Sequence, residues 1–281
     1  MSIKENTWVH EFFTSMGSAI GYEMSAHLHH EQSEYQTIDV YQSTHFGKVM
    51  ALDGCWMVSE KDNFLYHEMM VHPVLQAHPK PETVVVIGGG DCGTLKEVLK
   101  HQRVKKAIQI ELDERVTRIS EQFFPELCEA NHDPRAQLLF EDGIAWMKNV
   151  AAGSIDVIII DSTDPVGPAE GLFNVPFFKT CFKALTQQGI FVQQSESPLL
   201  HQDILQSLRQ RLPQAGFEQV RHLSFPMPSY PSGWWSATAA CKDQKLDLSQ
   251  PGPEAQRELD TLYYHEQMHQ AAFVMPRFLS V

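Results

Sequence analysis

The stretch TVVVIGGGDCGTLKEVLKHQRVKKAIQIE, residues 83–111, decides the fold. Its first five residues are apolar or β-branched with no polar alternation, the pattern of a strand covered on both faces. Glycines follow, then a helical segment over 94–100, then a second apolar strand over 107–110. A strand, a helix and a strand within so short a span predict a parallel pair joined by a crossover. The same alternation continues outward. Strands are expected over 136–140, 155–160 (IDVIII) and 190–194, and helices over 114–124, 143–150, 176–185 and 200–212. Segments 217–223 and 236–241 suggest a terminal antiparallel pair, with short helices near 259–269 and 276–279. The result is an α/β chain with a doubly wound parallel sheet.

Upstream the pattern changes. A helix is expected over 61–76, ending before Pro79. Before it, 35–41, 45–52 and 55–58 are short, partly alternating runs, with an Asp53-Gly54 turn between the last two. They predict a small antiparallel sheet. The expected division is an N-terminal β-domain over 1–58 and a larger Rossmann-like α/β domain over 59–281.

Of 281 residues, 43% are hydrophobic and 20% charged, which excludes a disordered or fibrous chain. The net charge of −13 is opposite to a nucleic-acid footprint, so no nucleic-acid partner is expected. Five widely spread cysteines contain no C-x-x-C, which argues for a reducing compartment. No apolar run of about 18 residues occurs, so a cytoplasmic protein without a membrane partner is expected.

In an open α/β sheet, ligands bind beyond the carboxyl ends of the strands. Those ends carry Asp91, Glu111, Glu141 with Asp142, and Asp161 with Asp164. A single acidic residue in such a loop is usually a helix cap. The same placement after consecutive strands points to a ligand. Asp91 places negative charge in the glycine loop where a pyrophosphate would sit, which argues against NAD. A nucleoside bearing positive charge fits better. Glu111 is placed to accept from both ribose hydroxyls, Asp142 from an adenine amino group, and Asp91 could pair with an ammonium. This favours a sulfonium nucleoside.

Other constellations are weaker. His67 and His72 are five apart and miss the i, i+4 spacing of a zinc helix, so no catalytic metal is expected. His27, His29 and His30 are read as an exposed loop or strand in preference to metal ligands.

The sequence resembles the spermidine synthases, the polyamine aminopropyltransferases, over essentially its whole length. The blocks that carry the resemblance are SEYQ (33–36), ALDG (51–54), FLYHEMM (64–70), VVVIGGGDCGTLKEV (84–98), IELDERV (110–116), EDG (141–143), IIIDSTDPVGPAEGLF (158–173), SYPSGWWS (229–236) and YYHEQMHQAAFVMP (263–276). The resemblance implies a Rossmann-like, methyltransferase-type domain behind the β-domain, with decarboxylated S-adenosylmethionine as co-substrate, putrescine as acceptor and no bound cofactor. It assigns Gln36, Asp91, Glu111, Asp142 and Gly143 to the donor, with Pro168, Ala169 and Leu172 beside the adenine. Tyr66, His67, Asp161, Asp164, Gln194 and Tyr230 would line the amine path, and Trp8 and Trp234 its far end. Asp161 would be the general base, with Tyr66 and Tyr230 orienting the nitrogen. A homodimer or homotetramer is expected.

Two departures stand out: Cys92 replaces the family's usual Gly, and Cys55-Trp56-Met57 replaces Val-Val-Gln. The second puts acceptor preference in doubt more than reaction type. A methyltransferase, an inactive polyamine-binding homologue and an NAD dehydrogenase remain as rivals. Asp91 counts against the first and last, and the presence of Asp161 against the second.

Overall fold

The computed structural model describes residues 7–164 and 167–279, less the side chains of Ser15 and Pro168. Strands β1 (Thr7–Phe13), β2 (Ser18–Gln32), β3 (Thr37–Ser43), β4 (Lys48–Leu52) and β5 (Cys55–Ser59) form an antiparallel sheet in chain order. The sequence reading anticipated β3 to β5 and missed β1 and β2. Both missed strands are largely solvated, and β2 carries two register shifts that break its alternation. Backbone pairing with neighbours holds them in place, and hydrophobic period does not report such pairing.

A helix, α1 (Asn63–Ala77), leads into the second sheet. The elements that follow are β6 (Thr83–Gly88), α2 (Gly93–Leu99), β7 (Lys106–Glu111), α3 (Glu114–Phe123), β8 (Ala136–Phe140), α4 (Gly143–Lys148), β9 (Ile155–Asp161), α5 (Val175–Ala184), β10 (Leu185–Gln194), α6 (Gln202–Ala215), β11 (Gln219–Pro226), β12 (Trp234–Cys241) and α7 (Glu266–Ala272). The sheet order is β11-β12-β10-β9-β6-β7-β8, with β12 antiparallel to both neighbours. This is the Rossmann-like, methyltransferase-type arrangement. The chain winds from β6 to β8 on one side, then returns to lay β9 on the other. That reversal opens a crevice between β6 and β9, where Gly88 and Asp161 are register partners.

The unbroken apolar strands follow from two covered faces. Val84, Val86, Val157 and Ile159 pack with residues of α1 and α2. Val85, Ile87, Ile158 and Ile160 pack with residues of α5 and α6. Helix α1 is buried from Tyr66 to Ala77. Its Glu68 carboxylate is satisfied there by the backbone N–H groups of Leu262, Tyr263 and Tyr264, at 2.7–2.9 Å. Those donors are turned toward the buried carboxylate and away from a helical ladder, so the helix expected over 259–269 does not form before Glu266, where α7 begins. On the small sheet, Ile38, Val40 and Met50 pack against Val116, Ile119 and Phe124 at α3, joining the two sheets. No helix among the described residues is long and apolar enough to cross a membrane.

Candidate active site

The glycine loop exists to bring β6 close to Asp161. Gly88 sits at φ +84°, and a Cβ there would lie 2.1 Å from the Asp161 carbonyl oxygen. Only glycine accommodates both constraints. The Gly89 N–H donates to the same carbonyl at 2.7 Å. This fixes Asp161 at the end of β9, its side chain turned into a cavity between the sheets. Tyr66 Oη donates to Asp161 Oδ1 and Thr94 Oγ1 to Oδ2, both at 2.6 Å. Burial raises the Asp161 carboxyl above its ordinary range, and the charge of Asp91 adds to the shift. The Tyr230 hydroxyl donates to the Met57 carbonyl, and its ring lies 5.8 Å from that of Tyr66. Its loop is pinned by Asp62, which accepts from the Ser229 N–H at 2.9 Å.

On the β7 side, Glu111 accepts from the Asp113 N–H at 2.9 Å and lines the cavity. Burial pushes its carboxyl up to about 7, with the Asp113 N–H opposing. Asp113 caps α3 through the Arg115 N–H and receives Ser33 Oγ at 2.6 Å and Gln36 Nε2 at 3.0 Å. The β-domain is thereby tied to the rim of the larger sheet. Asp142 caps α4 through the Ile144 N–H at 2.8 Å. Ala169 and Leu172 line the wall beside it.

The opposite end is acidic. Asp164, Glu11 and Cys55 line it, and Glu196 stands behind. Burial and the adjoining Asp164 push the Glu196 carboxyl up to about 10. Its Oε1 has no hydrogen-bond partner among the described residues, and its Oε2 lies 3.3 Å from His201 Nδ1. Burial, then Glu11 and Asp164, raise the Cys55 thiol to about 12. Gln194 reaches the cavity with its amide held by the Ser162 carbonyl and the Glu196 N–H.

Residues 63–250 match the spermine/spermidine synthase domain, and residues 7–60 match the spermidine synthase tetramerisation domain. The chain belongs to the spermine/spermidine synthase family. A polyamine aminopropyltransferase of Methylococcus capsulatus is 56% identical over 271 residues, covering 96% of this chain and 95% of its own. One from Xanthomonas euvesicatoria is 53% identical over 281 residues, covering 100% and 98%. A spermidine synthase crystallised with the transition-state analogue AdoDATO superposes with a TM-score of 0.92 at 34% identity, over 99% of this chain and 95% of that one. The Thermotoga maritima spermidine synthase gives 0.90, also at 34%, over 99% and 94%. The chain is thus an aminopropyltransferase of the spermidine synthase type.

Most residues expected at the aminopropyltransferase site converge on one cavity. Gln36, Tyr66, Asp91, Glu111, Asp142, Gly143, Asp161, Asp164, Ala169, Leu172, Gln194 and Tyr230 all line it. The Pro168 side chain lies outside the described residues. His67 is not among the residues that line the cavity. It is buried behind the glycine loop, its Nε2 3.1 Å from Asp91 Oδ2. Burial works against the imidazolium, but Asp91's charge and hydrogen bond prevail and lift its pKa to about 9. Burial likewise opposes the Asp91 carboxylate, and the His67 charge prevails and lowers it. Asp91 is therefore paired with His67 while it also lines the cavity. His72 faces away from His67, toward Glu97 and His101, as their five-residue spacing required.

Trp8 and Trp234 do not reach the cavity. Trp8 is 58% exposed on β1, and Trp234 meets Phe278 edge to face, with ring centroids 6.1 Å apart. The tryptophans that do line the cavity are Trp56 and Trp235. Thr94, Asp113, Glu11 and Glu196 were not anticipated. Thr94 is an ordinary helix residue in sequence. Glu11 lies on a strand the pattern did not reveal. Glu196 takes its position from a left-handed backbone, φ 63°. Cys92 stands at the N-terminal end of α2 with φ 70°, a conformation that glycine adopts without strain; this accounts for the family's usual glycine, and nothing in the structure explains the cysteine.

Proposed function

We propose that this chain moves the aminopropyl group of decarboxylated S-adenosylmethionine to putrescine, giving spermidine and 5′-methylthioadenosine, with Asp161 as general base. The observation that carries the reading is the half-buried Asp161 carboxylate, oriented by Tyr66 and Thr94, between a nucleoside half and an acidic half of one cavity. Glu111 accepts from the ribose, Asp142 from the adenine amino group, and Ala169 and Leu172 flank the base. The ammonium of putrescine has a pKa of about 10, so roughly one molecule in a thousand arrives unprotonated at neutral pH. Asp161 takes that proton. The freed lone pair attacks the propyl methylene, the carbon–sulfur bond breaks, and its electrons return to sulfur, converting sulfonium to thioether. The raised Asp161 carboxyl is the better base for being less acidic than an ordinary aspartate.

Putrescine's second ammonium lies at the acidic end, where the Asp164 carboxylate balances its charge; Glu196, held protonated at neutral pH by burial and by Asp164, offers a hydrogen bond and no charge. Burying that charge without a partner would be costly. Because His67 compensates Asp91, exclusion of a donor carboxylate falls to the summed negative charge of the cavity. The donor is consumed as a substrate, and we assign no bound cofactor. We further propose that the chain assembles as a homotetramer in the cytoplasm.

Incubation with decarboxylated S-adenosylmethionine and putrescine should release methylthioadenosine and spermidine. S-adenosylmethionine should not replace the donor, and NADH should not stabilise the fold. Methyl transfer from S-adenosylmethionine, with no methylthioadenosine formed from the decarboxylated donor, would overturn the reading.

A further inference from the structure

Strand β2 carries His27-Leu28-His29-His30, and a bulge decides which imidazoles meet. In a regular strand, side chains alternate, so residues 27 and 30 would face opposite sides. Here the register with β3 passes from His27–Tyr41 to His29–Val40 and His30–Asp39, leaving Leu28 as an inserted residue. The insertion resets the alternation. His27, His30, Asp39 and Tyr41 therefore share the sheet face that looks away from α3. His29 takes the other face, its ring 5.5 Å from Phe123 and its Nε2 3.2 Å from Glu31.

On the shared face, Asp39 Oδ1 lies 2.7 Å from His27 Nε2 and 2.8 Å from His30 Nδ1. The three atoms all lie within 4.8 Å of one another. The Asp39 side chain is 13% exposed, while those of His27 and His30 are 45% and 63% exposed. The His27 ring is further held by a stack on Tyr41, with centroids 4.4 Å apart. A fixed carboxylate thus faces one braced and one adjustable imidazole, with solvent beyond them.

We propose that His27, His30 and Asp39 form a site for a divalent transition ion of the zinc class, with water as the fourth ligand. The donor set selects the ion. Two imidazole nitrogens and one carboxylate oxygen suit zinc and its neighbours, whereas calcium and magnesium require mostly oxygen ligands. Bond lengths of about 2.0–2.2 Å to nitrogen and oxygen imply ligand edges of about 3.3 Å in a tetrahedron. The present contacts need open by only about half an ångström, within the reach of exposed histidine rotamers. His27 would bind through Nε2 and His30 through Nδ1, each ring giving up any proton it holds toward Asp39. None of the three residues lines the transferase cavity, so this site does not depend on the assignment of substrates there.

The test is calorimetric titration of the untagged, chelator-stripped full chain with zinc chloride. One ion per chain should bind, and His29→Gln should bind it equally, because His29 is on the other face. His30→Gln should weaken binding by about 10-fold or more, since even loss of a supporting group costs 10–100-fold in metal affinity. The His27→Gln/His30→Gln double variant should lose saturable binding while melting as the parent does without metal. Absence of saturable binding in the parent would overturn the proposal. So would undiminished binding in the double variant, which would place the zinc elsewhere among the 14 histidines.

Discussion

Replacing Glu111 by Gln should move stability and nucleoside affinity in opposite directions. Burial holds the Glu111 carboxyl at about 7 in the folded chain, against about 4.3 when unfolded. A carboxyl raised by folding costs stability above its unfolded pKa. The cost is absent near pH 4, grows as pH climbs from about 4.3, and is complete above about pH 7. Each unit of difference is worth about 1.4 kcal/mol, so the full cost is about 4 kcal/mol, and closer to 2 kcal/mol with solvent at the cavity mouth. Gln carries no such cost and can still accept from the Asp113 N–H. Ligand-free Glu111→Gln should therefore melt higher at about pH 8, by about 2 °C per kcal/mol in a chain of this size, and no higher near pH 4. Binding should suffer. Hydrogen bonds to a charged acceptor contribute about 1.5–3 kcal/mol against about 1 for a neutral one, so methylthioadenosine should bind about 10- to 100-fold more weakly. Thermal shift at the two pH values, with and without methylthioadenosine, reads both effects. A variant that melts lower at about pH 8 while binding the nucleoside normally would refute the reasoning.

Asp161→Asn should lower kcat by about 10²- to 10⁴-fold while leaving methylthioadenosine binding nearly intact, since only proton removal is lost. Its residual rate should gain more from rising pH than the parent's, because it depends on amine that arrives unprotonated. A near-normal kcat would exclude Asp161 as the base. Asp164→Asn should raise the KM for putrescine far more than that for the donor, read from initial rates with each substrate varied in turn. Among acceptors compared at saturating donor, cadaverine should retain some activity, a methylene being worth about 1–3 kcal/mol. Spermidine should be poor, and a preference for it would overturn the acceptor assignment. His67→Asn leaves the largely enclosed Asp91 without its ion partner and should destabilise, by less than the about 3–5 kcal/mol of a fully buried pair because Asp91 opens on the cavity. His67 is raised to about 9, so its stabilisation is full below about pH 6.5 and is lost as pH climbs to about 9. The melting gap from the parent should narrow over that window, and a gap constant with pH would count against the pair.

The sequence alone determined the doubly wound sheet, the β-domain before it and the carboxylates at the strand ends. Two-sided burial writes itself as unbroken apolar strands such as Ile155–Asp161, and family blocks carry residue roles with them. It did not determine β1 and β2, because backbone pairing on a solvated sheet leaves no hydrophobic period. Nor could it show that His67 belongs to Asp91, that Trp56 and Trp235 rather than Trp8 and Trp234 wall the cavity, or that Glu11 and Glu196 join Asp164. Those are tertiary contacts, set by how α1 packs on the larger sheet and by how the two sheets dock through α3 and Asp113. The face shared by His27 and His30 is the sharpest instance. Their spacing predicts opposite sides of a strand, and a single inserted residue, visible only in the pairing with β3, puts them on the same one.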